Sequence, residues 1–239
     1  MRAGEESYWR FYEEVAAGQL AEWAPPAPAR VLDVSGRSPR FAEQLAALGH
    51  DVLHVRDVHD APRPAATGQL MSVVADPRSL AWLRDASVDA VLAESRALSL
   101  CLAAEVTAED LLRILRPGGR LLLVVDSLLL GLARLADQER WAELADVPSA
   151  DVVLVPDEDG SISRCFWPEE LRNLLTDAGF EVDWVRPRSV LAPAAVERAL
   201  SAHPEEALPT LVHTELALAR EREGESTGMH LVASARKPD

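Results

Sequence analysis

The chain has only two cysteines, Cys101 and Cys165, far apart and without the CxxC or histidine spacing of a zinc site. Reduced thiols and no bound metal are therefore expected. Basic residues are also in short supply: 24 Lys and Arg stand against 39 Asp and Glu in 239 residues, a formal charge of -15. Clustered cations attract a polyanion and a net negative field repels it, so nucleic acid is not an expected partner. No apolar run reaches the ~18 uncharged residues of a membrane helix. The most apolar stretch, Leu121 to Ala136, is interrupted by Asp126 and bounded by Arg120 and Arg134, and reads as a buried strand followed by a helix. The first residues, MRAGEESYWRF, are acidic where a secretory signal would be basic and then apolar, so neither export nor membrane attachment is expected and the location is read as cytoplasmic. There is no low-complexity tract, and no repeat at a period of roughly 20 to 50 residues.

An apolar content of 48% with 26% charged residues is that of a globular protein. The length suits a single domain over 1–239. Seven β-like runs alternate with helical patterns: Val31 to Val34, Val52 to Val55, Met71 to Val74, Val88 to Ala93, Leu121 to Val125, Glu181 to Val185 and Met229 to Ser234. Such alternation predicts an α/β fold, a mostly parallel sheet with helices on both faces. Phe41, Leu45 and Leu48 recur at helical spacing ahead of Gly49, and Ser38-Pro39 places the helix start at Pro39. A second helix, Glu109 to Leu115, stops at Arg116-Pro117-Gly118-Gly119; a third opens at Trp167-Pro168 and closes at Ala178-Gly179-Phe180. Two long connections, about 126–165 and 186–228, are read as helical insertions. Segments of that length usually serve as lids or partner surfaces, and the alternative is that they pad the sheet.

Four segments carry a resemblance to a known family: Ala-Arg-Val-Leu-Asp-Val at 29–34, Ser-Val-Asp-Ala-Val-Leu-Ala at 87–93, Leu-Leu-Arg-Ile-Leu-Arg-Pro-Gly-Gly-Arg-Leu-Leu-Leu at 111–123, and Trp-Pro-Glu-Glu-Leu-Arg-Asn-Leu-Leu-Thr-Asp-Ala-Gly-Phe at 167–180. Together they resemble the class I S-adenosylmethionine-dependent methyltransferases over nearly the whole chain. The resemblance implies a Rossmann-like, seven-stranded sheet with its last strand antiparallel. It also implies S-adenosylmethionine as cofactor, bound outside the carboxyl ends of the first four strands where strand order reverses.

Against that family the chain departs in two places. Members usually follow the first-strand Asp, here Asp33, with a GxGxG loop; the three glycine positions are Ser35, Arg37 and Pro39, and Gly36 falls between them. Arg37 would put a long cation where the family leaves space, or would pair with a cofactor carboxylate. At the end of the second strand, where a carboxylate is expected to take both ribose hydroxyls about 20 residues beyond the loop, the count gives Arg56, with Asp57 adjacent. Asp57 would substitute only if a bulge or the strand's end re-aimed it. Asp76-Pro77 matches the place where the family holds the adenine amino group, and Asp76 would otherwise cap a helix around Ser79 to Leu83. Glu94 and Ser95 end the fourth strand at the mouth of the site.

Tyr8, Trp9, Phe11, Tyr12 and Val15 have helical spacing. They form either a leader over the cofactor, with the Tyr8 and Tyr12 hydroxyls reaching a ligand, or an amphipathic helix packed on the sheet. Methyl transfer needs mainly in-line positioning and leaves no obligatory acid/base motif. His203, His213 and His230 are the available bases, and no catalytic residue is assigned. Neither an Asn-Pro-Pro-Tyr segment, a P-loop nor a serine elbow is present. The function expected is methyl transfer to a small-molecule acceptor, with the insertions forming the acceptor pocket or a homodimer contact. The alternative is a methyltransferase-like pseudoenzyme that binds or regulates without catalysis, which the altered loop and Arg56 motivate. A third reading has Arg37 and Arg56 receive a phosphate.

Overall fold

The structure, a computed structural model, describes residues 3–36, 38–56, 69–76, 79–94, 96–101, 103–157 and 160–239, with side chains from residue 7. Its parallel strands are β1 (Arg30–Asp33), β2 (Asp51–Arg56), β3 (Leu70–Val74), β4 (Val88–Ala93) and β5 (Leu115–Ser127), in the order β3-β2-β1-β4-β5. Later in the chain come the hairpin β6 (Val153–Pro156) and β7 (Ile162–Phe166), then β8 (Glu181–Arg188) and β9 (His230–Arg236). The last strand, β9, runs antiparallel between β5 and β8. Strand order therefore reverses between β1 and β4, which opens a crevice at the carboxyl ends of those two strands.

The seven expected strands are present, and β6 and β7 extend the sheet to nine. Asp126 of β5 pairs with both Cys165 and His230, so β7 joins the β5 edge opposite β9, beyond the point where β4 has ended. This corrects the reading of 126–165 as helical. Its first part forms α4 (Leu128–Asp137) and α5 (Trp141–Asp146), but later in it β6 and β7 pair as an antiparallel hairpin.

Helices cover both faces. α2 (Arg40–Ala47) buries Ala42 and Leu45 against Val31, Val52 and Leu92, where Leu20 and Trp23 of α1 (Ala3–Trp23) also pack. On the other face α3 (Ala104–Ile114) and α6 (Pro168–Asp177) bury Leu111, Ile114, Leu171 and Leu175 against Leu32, Val91 and Leu123. Burying a Leu or Ile is worth roughly 1.5–3 kcal/mol, and these alternating inward residues are what fix strand register. The 186–228 connection folds as α7 (Pro193–Ala202) and α8 (Pro204–Glu221). Val196, Leu200 and Leu208 from these helices meet Phe11 and Val15 of α1. The amino-terminal aromatic stripe thus packs on the late helices, over the carboxyl end of the sheet.

Two local expectations shift. α2 begins at Arg40, with Pro39 as its cap residue and no side-chain cap bond. Among the described residues no helix forms between β3 and β4: Ser79 N–H donates to the Asp76 carbonyl and Leu83 N–H to the Leu80 carbonyl, closing a turn at 81–82.

Candidate functional site

The ends of β1 and β4 are tied together at the crevice floor. Asp33, fully buried, accepts the Ser35 N–H on one carboxylate oxygen at 2.8 Å and faces His54 Nδ1 of β2 on the other at 2.9 Å. That bond turns the chain sharply after β1. Ser35 Oγ, also buried, accepts the Glu94 N–H across the crevice at 3.0 Å. Gly36 then adopts φ +79, a left-handed conformation that residues with a Cβ rarely hold, and among the described residues, its chain neighbours aside, nothing lies within 4 Å of where its Cβ would be. A chain with one glycine instead of three thus keeps a left-handed bend at the switch point, open with respect to the described residues. Arg56 ends β2 level with Val74 of β3, and Asp76 lies exposed just past β3. Ser35, Gly36, Arg56, Asp76 and Glu94 accordingly line up along the carboxyl ends of four adjacent strands. Arg37, Asp57, Pro77 and Ser95 lie outside the described residues, so the phosphate reading of Arg37 with Arg56 has no geometry to weigh.

Glu94 is engaged from behind. Its carboxylate receives two bonds from Arg188 at the end of β8, Nη1 and Nη2 each at 2.7 Å. Arg188 is fully buried, donates from Nε to Gln19 Oε1 at 2.6 Å, and stacks over the Tyr12 ring, whose hydroxyl lies 3.3 Å from Nη1. Burial opposes its charge most strongly, but Glu94 and Tyr12 together outweigh that and hold its pKa above the ordinary guanidinium value. Tyr8 donates to Ser189 Oγ at 2.9 Å. Ser189 itself has φ 62, and its turn is clamped by the buried Glu215 of α8, which accepts the Val190 and Leu191 N–H groups at 2.8 and 2.9 Å. Gly228 lets this turn close: a Cβ there would sit 2.5 Å from the Arg188 carbonyl oxygen. The two tyrosine hydroxyls read as reaching a ligand are thus spoken for inside the protein.

Beside this network is a second one. Asp126, near the end of β5, is fully buried; its Oδ2 accepts Arg96 Nη1 at 2.8 Å and Arg134 Nη1 at 3.2 Å, while its N–H is held by Ser99 Oγ. Arg134 also pairs with Asp157 of the hairpin turn at 3.0 Å. Asp126 Oδ1 has no hydrogen-bond partner among the described residues and looks toward His230 Nε2 at 3.6 Å. Burial raises the Asp126 pKa, with Arg96 and Arg134 pulling it back. Burial, then Arg188, Arg96 and Arg134, push His230 down to about 3, so it is neutral at physiological pH. His230 is the one sequence-predicted base candidate that the structure brings to this edge; His203 and His213 lie on the late helical segment.

Arg188, Gln19, Arg96 and Arg134 were not singled out in the sequence. A signal existed for Asp126, a lone carboxylate inside the most apolar run. A separate groove of about 830 Å³, between α3, α6 and residues 224–226, is lined by Glu105, Glu109, Arg164, Trp167 and Glu170 and includes none of the sequence-predicted site residues. Among the described residues there is no group of three or more His, Cys, Asp or Glu able to hold a metal ion, and no helix long and apolar enough to cross a membrane.

The architecture is the class I methyltransferase fold. A chain of the Haloferax volcanii complex between the Trm112 methyltransferase activator and a methyltransferase superposes with TM-score 0.63 at 17% identity, covering 99% of this chain and 94% of that one. The Burkholderia thailandensis 1,6-didemethyltoxoflavin-N1-methyltransferase, whose structure holds 1,6-didemethyltoxoflavin and S-adenosylhomocysteine, superposes with TM-score 0.59 at 18% identity, covering 97% and 81%. The [4+2]-cyclase SpnF shares the fold as well, with TM-score 0.53 at 17% identity over 94% and 81%. No protein-family model matches the chain, and no curated protein matches it.

Proposed function

We propose that the protein is an S-adenosylmethionine-dependent methyltransferase acting on a small molecule. The observation that carries this reading is the open left-handed Gly36 bend at the strand-order reversal, anchored by Asp33 below and by Ser35 Oγ on Glu94 N–H across it. Backbone is free to approach a ligand there, which is what the methionyl and ribose parts of the cofactor require. The Ser35–Gly36 backbone would hold that part, and Asp76, exposed at the end of β3, would meet the adenine. Bound there, the cofactor supplies an electrophilic sulfonium methyl group. The chain's share of the work is positional: it orients the acceptor and keeps water from the reacting centre. α1 meets Arg188 of β8 and His230 of β9 through Gln19 and Tyr12, and α8 clamps the turn after β8 through Glu215; we read this half of the edge as the acceptor side.

A binding module without catalysis is the second reading. It is favoured by the engagement of both carboxylates nearest the crevice, Asp33 and Glu94, with internal partners. That SpnF bears this fold underlines that the fold alone does not fix the reaction. Thermal unfolding with S-adenosylhomocysteine tests the cofactor claim. At ~100 times its dissociation constant the ligand should add ~2.7 kcal/mol, and no shift at millimolar ligand refutes it. Binding without methyl transfer to any member of a small-molecule acceptor panel would favour the module.

A further inference from the structure

Arg96 and Arg134 approach Asp126 from different elements and bond the same oxygen, so their guanidinium groups sit side by side. Both remain partly open to solvent, with side chains 30% and 25% exposed, whereas Asp126 beneath them is 0% exposed. Arg96 uses only Nη1, and Arg134 uses only Nη1 for Asp126 and Asp157; the other donors of each fork have no partner among the described residues. Arg96 is held in place by a left-handed backbone, φ 58, three residues past the end of β4. A residue with a Cβ seldom takes that conformation, and such outliers gather at functional sites. Among the described residues Asp126 Oδ1 is buried without a partner, as is Nδ1 of the His230 ring beside it, and unsatisfied buried polar atoms call for a ligand or an ordered water.

Paired guanidinium forks match the planar oxygens of a carboxylate or phosphate. We propose that Arg96 and Arg134 form a subsite for an anionic group, carboxylate or phosphate, on the acceptor. Asp126 is the internal counter-ion that keeps the two forks together while no ligand is bound. The subsite rests on the reading of this edge as the acceptor side. Its consequence is orientation: gripping the acceptor by its anionic end leaves the opposite end to be aimed toward the Gly36 crevice. The local field agrees with it, since Arg188, Arg96 and Arg134 all act to keep His230 from taking a proton.

Benzoate, its neutral analogue benzamide, and inorganic phosphate are the probes, titrated by calorimetry against the full chain with and without saturating S-adenosylhomocysteine. Benzoate or phosphate should bind and benzamide should not, and which of the two anions binds more tightly identifies the group. Arg96→Gln and Arg134→Gln should each weaken the anion at least tenfold while circular dichroism and the S-adenosylhomocysteine response stay as in the wild type. Asp126→Asn should tighten it several-fold, because the competing carboxylate is gone; a residue that merely holds the fold together would have no such effect. Equal binding of benzoate and benzamide, no binding of either anion, retention of the anion in both arginine variants, or its weakening in Asp126→Asn overturns the proposal. Parallel loss of S-adenosylhomocysteine in the arginine variants also overturns it, since the pair would then grip the cofactor. Anion binding that persists when S-adenosylhomocysteine gives no response would instead locate the failure in the cofactor reading.

Discussion

Replacing Glu94 by Ala would leave Arg188 charged, fully out of water and with two of its bonds gone. Breaking a buried ion pair by removing one partner costs about 3–5 kcal/mol, because the surviving charge is uncompensated. Gln19 and Tyr12 still accept from the guanidinium, which places the expected loss toward the lower end of that range. In a domain of this size each kcal/mol moves Tm by roughly 2–4 °C, so a fall of roughly 6–20 °C brackets the effect. Urea unfolding followed by circular dichroism measures the free energy directly. The double variant Glu94→Leu with Arg188→Met should recover most of the loss, since exchanging a whole buried pair for apolar residues of similar volume is often neutral or stabilising. A single-variant cost below ~1 kcal/mol, the size of an exposed pair, would show that water reaches Arg188 and that the network does not seal the crevice wall.

His230 is 14% exposed and pushed down to about 3, while an unfolded histidine titrates near 6.5. The unfolded chain therefore binds the extra proton first, and this residue's contribution, complete above the unfolded value, is lost at about 1.4 kcal/mol per pH unit as pH falls from ~6.5. Urea midpoints at neutral and mildly acidic pH should converge partly in His230→Gln; Asp126, whose pKa burial raises, acts in the opposite sense at lower pH. A Cβ at Gly131 would lie 2.8 Å from Cys165 Sγ, so Gly131→Ala should cost about 1–3 kcal/mol by overpacking, partly recovered by Cys165→Ala, as denaturant titration would show. The Cys165 thiol, buried and raised to about 12, should resist iodoacetamide until the protein unfolds. Glu215→Ala removes two charge-assisted bonds worth roughly 1.5–3 kcal/mol each, and hydrogen exchange should show the 189–191 turn opening first.

Much of the fold was legible because its causes are local. Val31 to Val34 and Val52 to Val55 read as strands from their β-branched runs, and Leu171, Leu174 and Leu175 as a helix face from their spacing, and each buries what that pattern requires. Within the segment read as a helical insertion, Val153–Pro156 and Ile162–Phe166 were not recognised as two paired strands. Between Asp76 and Leu83 the reverse occurred: a cap-like Asp suggested a helix, and too few apolar residues followed to bury one. Ser35, Gly36, Arg56 and Asp76 could be placed at the strand ends by counting along a parallel sheet. The partner of Glu94 could not, because Arg188 lies 94 residues away and only the closure of β8 beside β9 brings it near.

Net charge was likewise a sound guide to one kind of partner and a poor one to another. A charge of -15 governs how a polyanion, which spans much of the surface, is received. A single carboxylate entering a crevice feels mainly what lies within a screening length, ~8 Å at physiological salt. At the end of β5 that neighbourhood contains guanidinium groups from three separate elements, and after burial, the larger cause, they add to the lowering of the His230 pKa. The acidity that argues against nucleic acid therefore says nothing against a small anionic acceptor. The same Asp126 that marks the limit of the apolar run is the residue that gathers two of those cations.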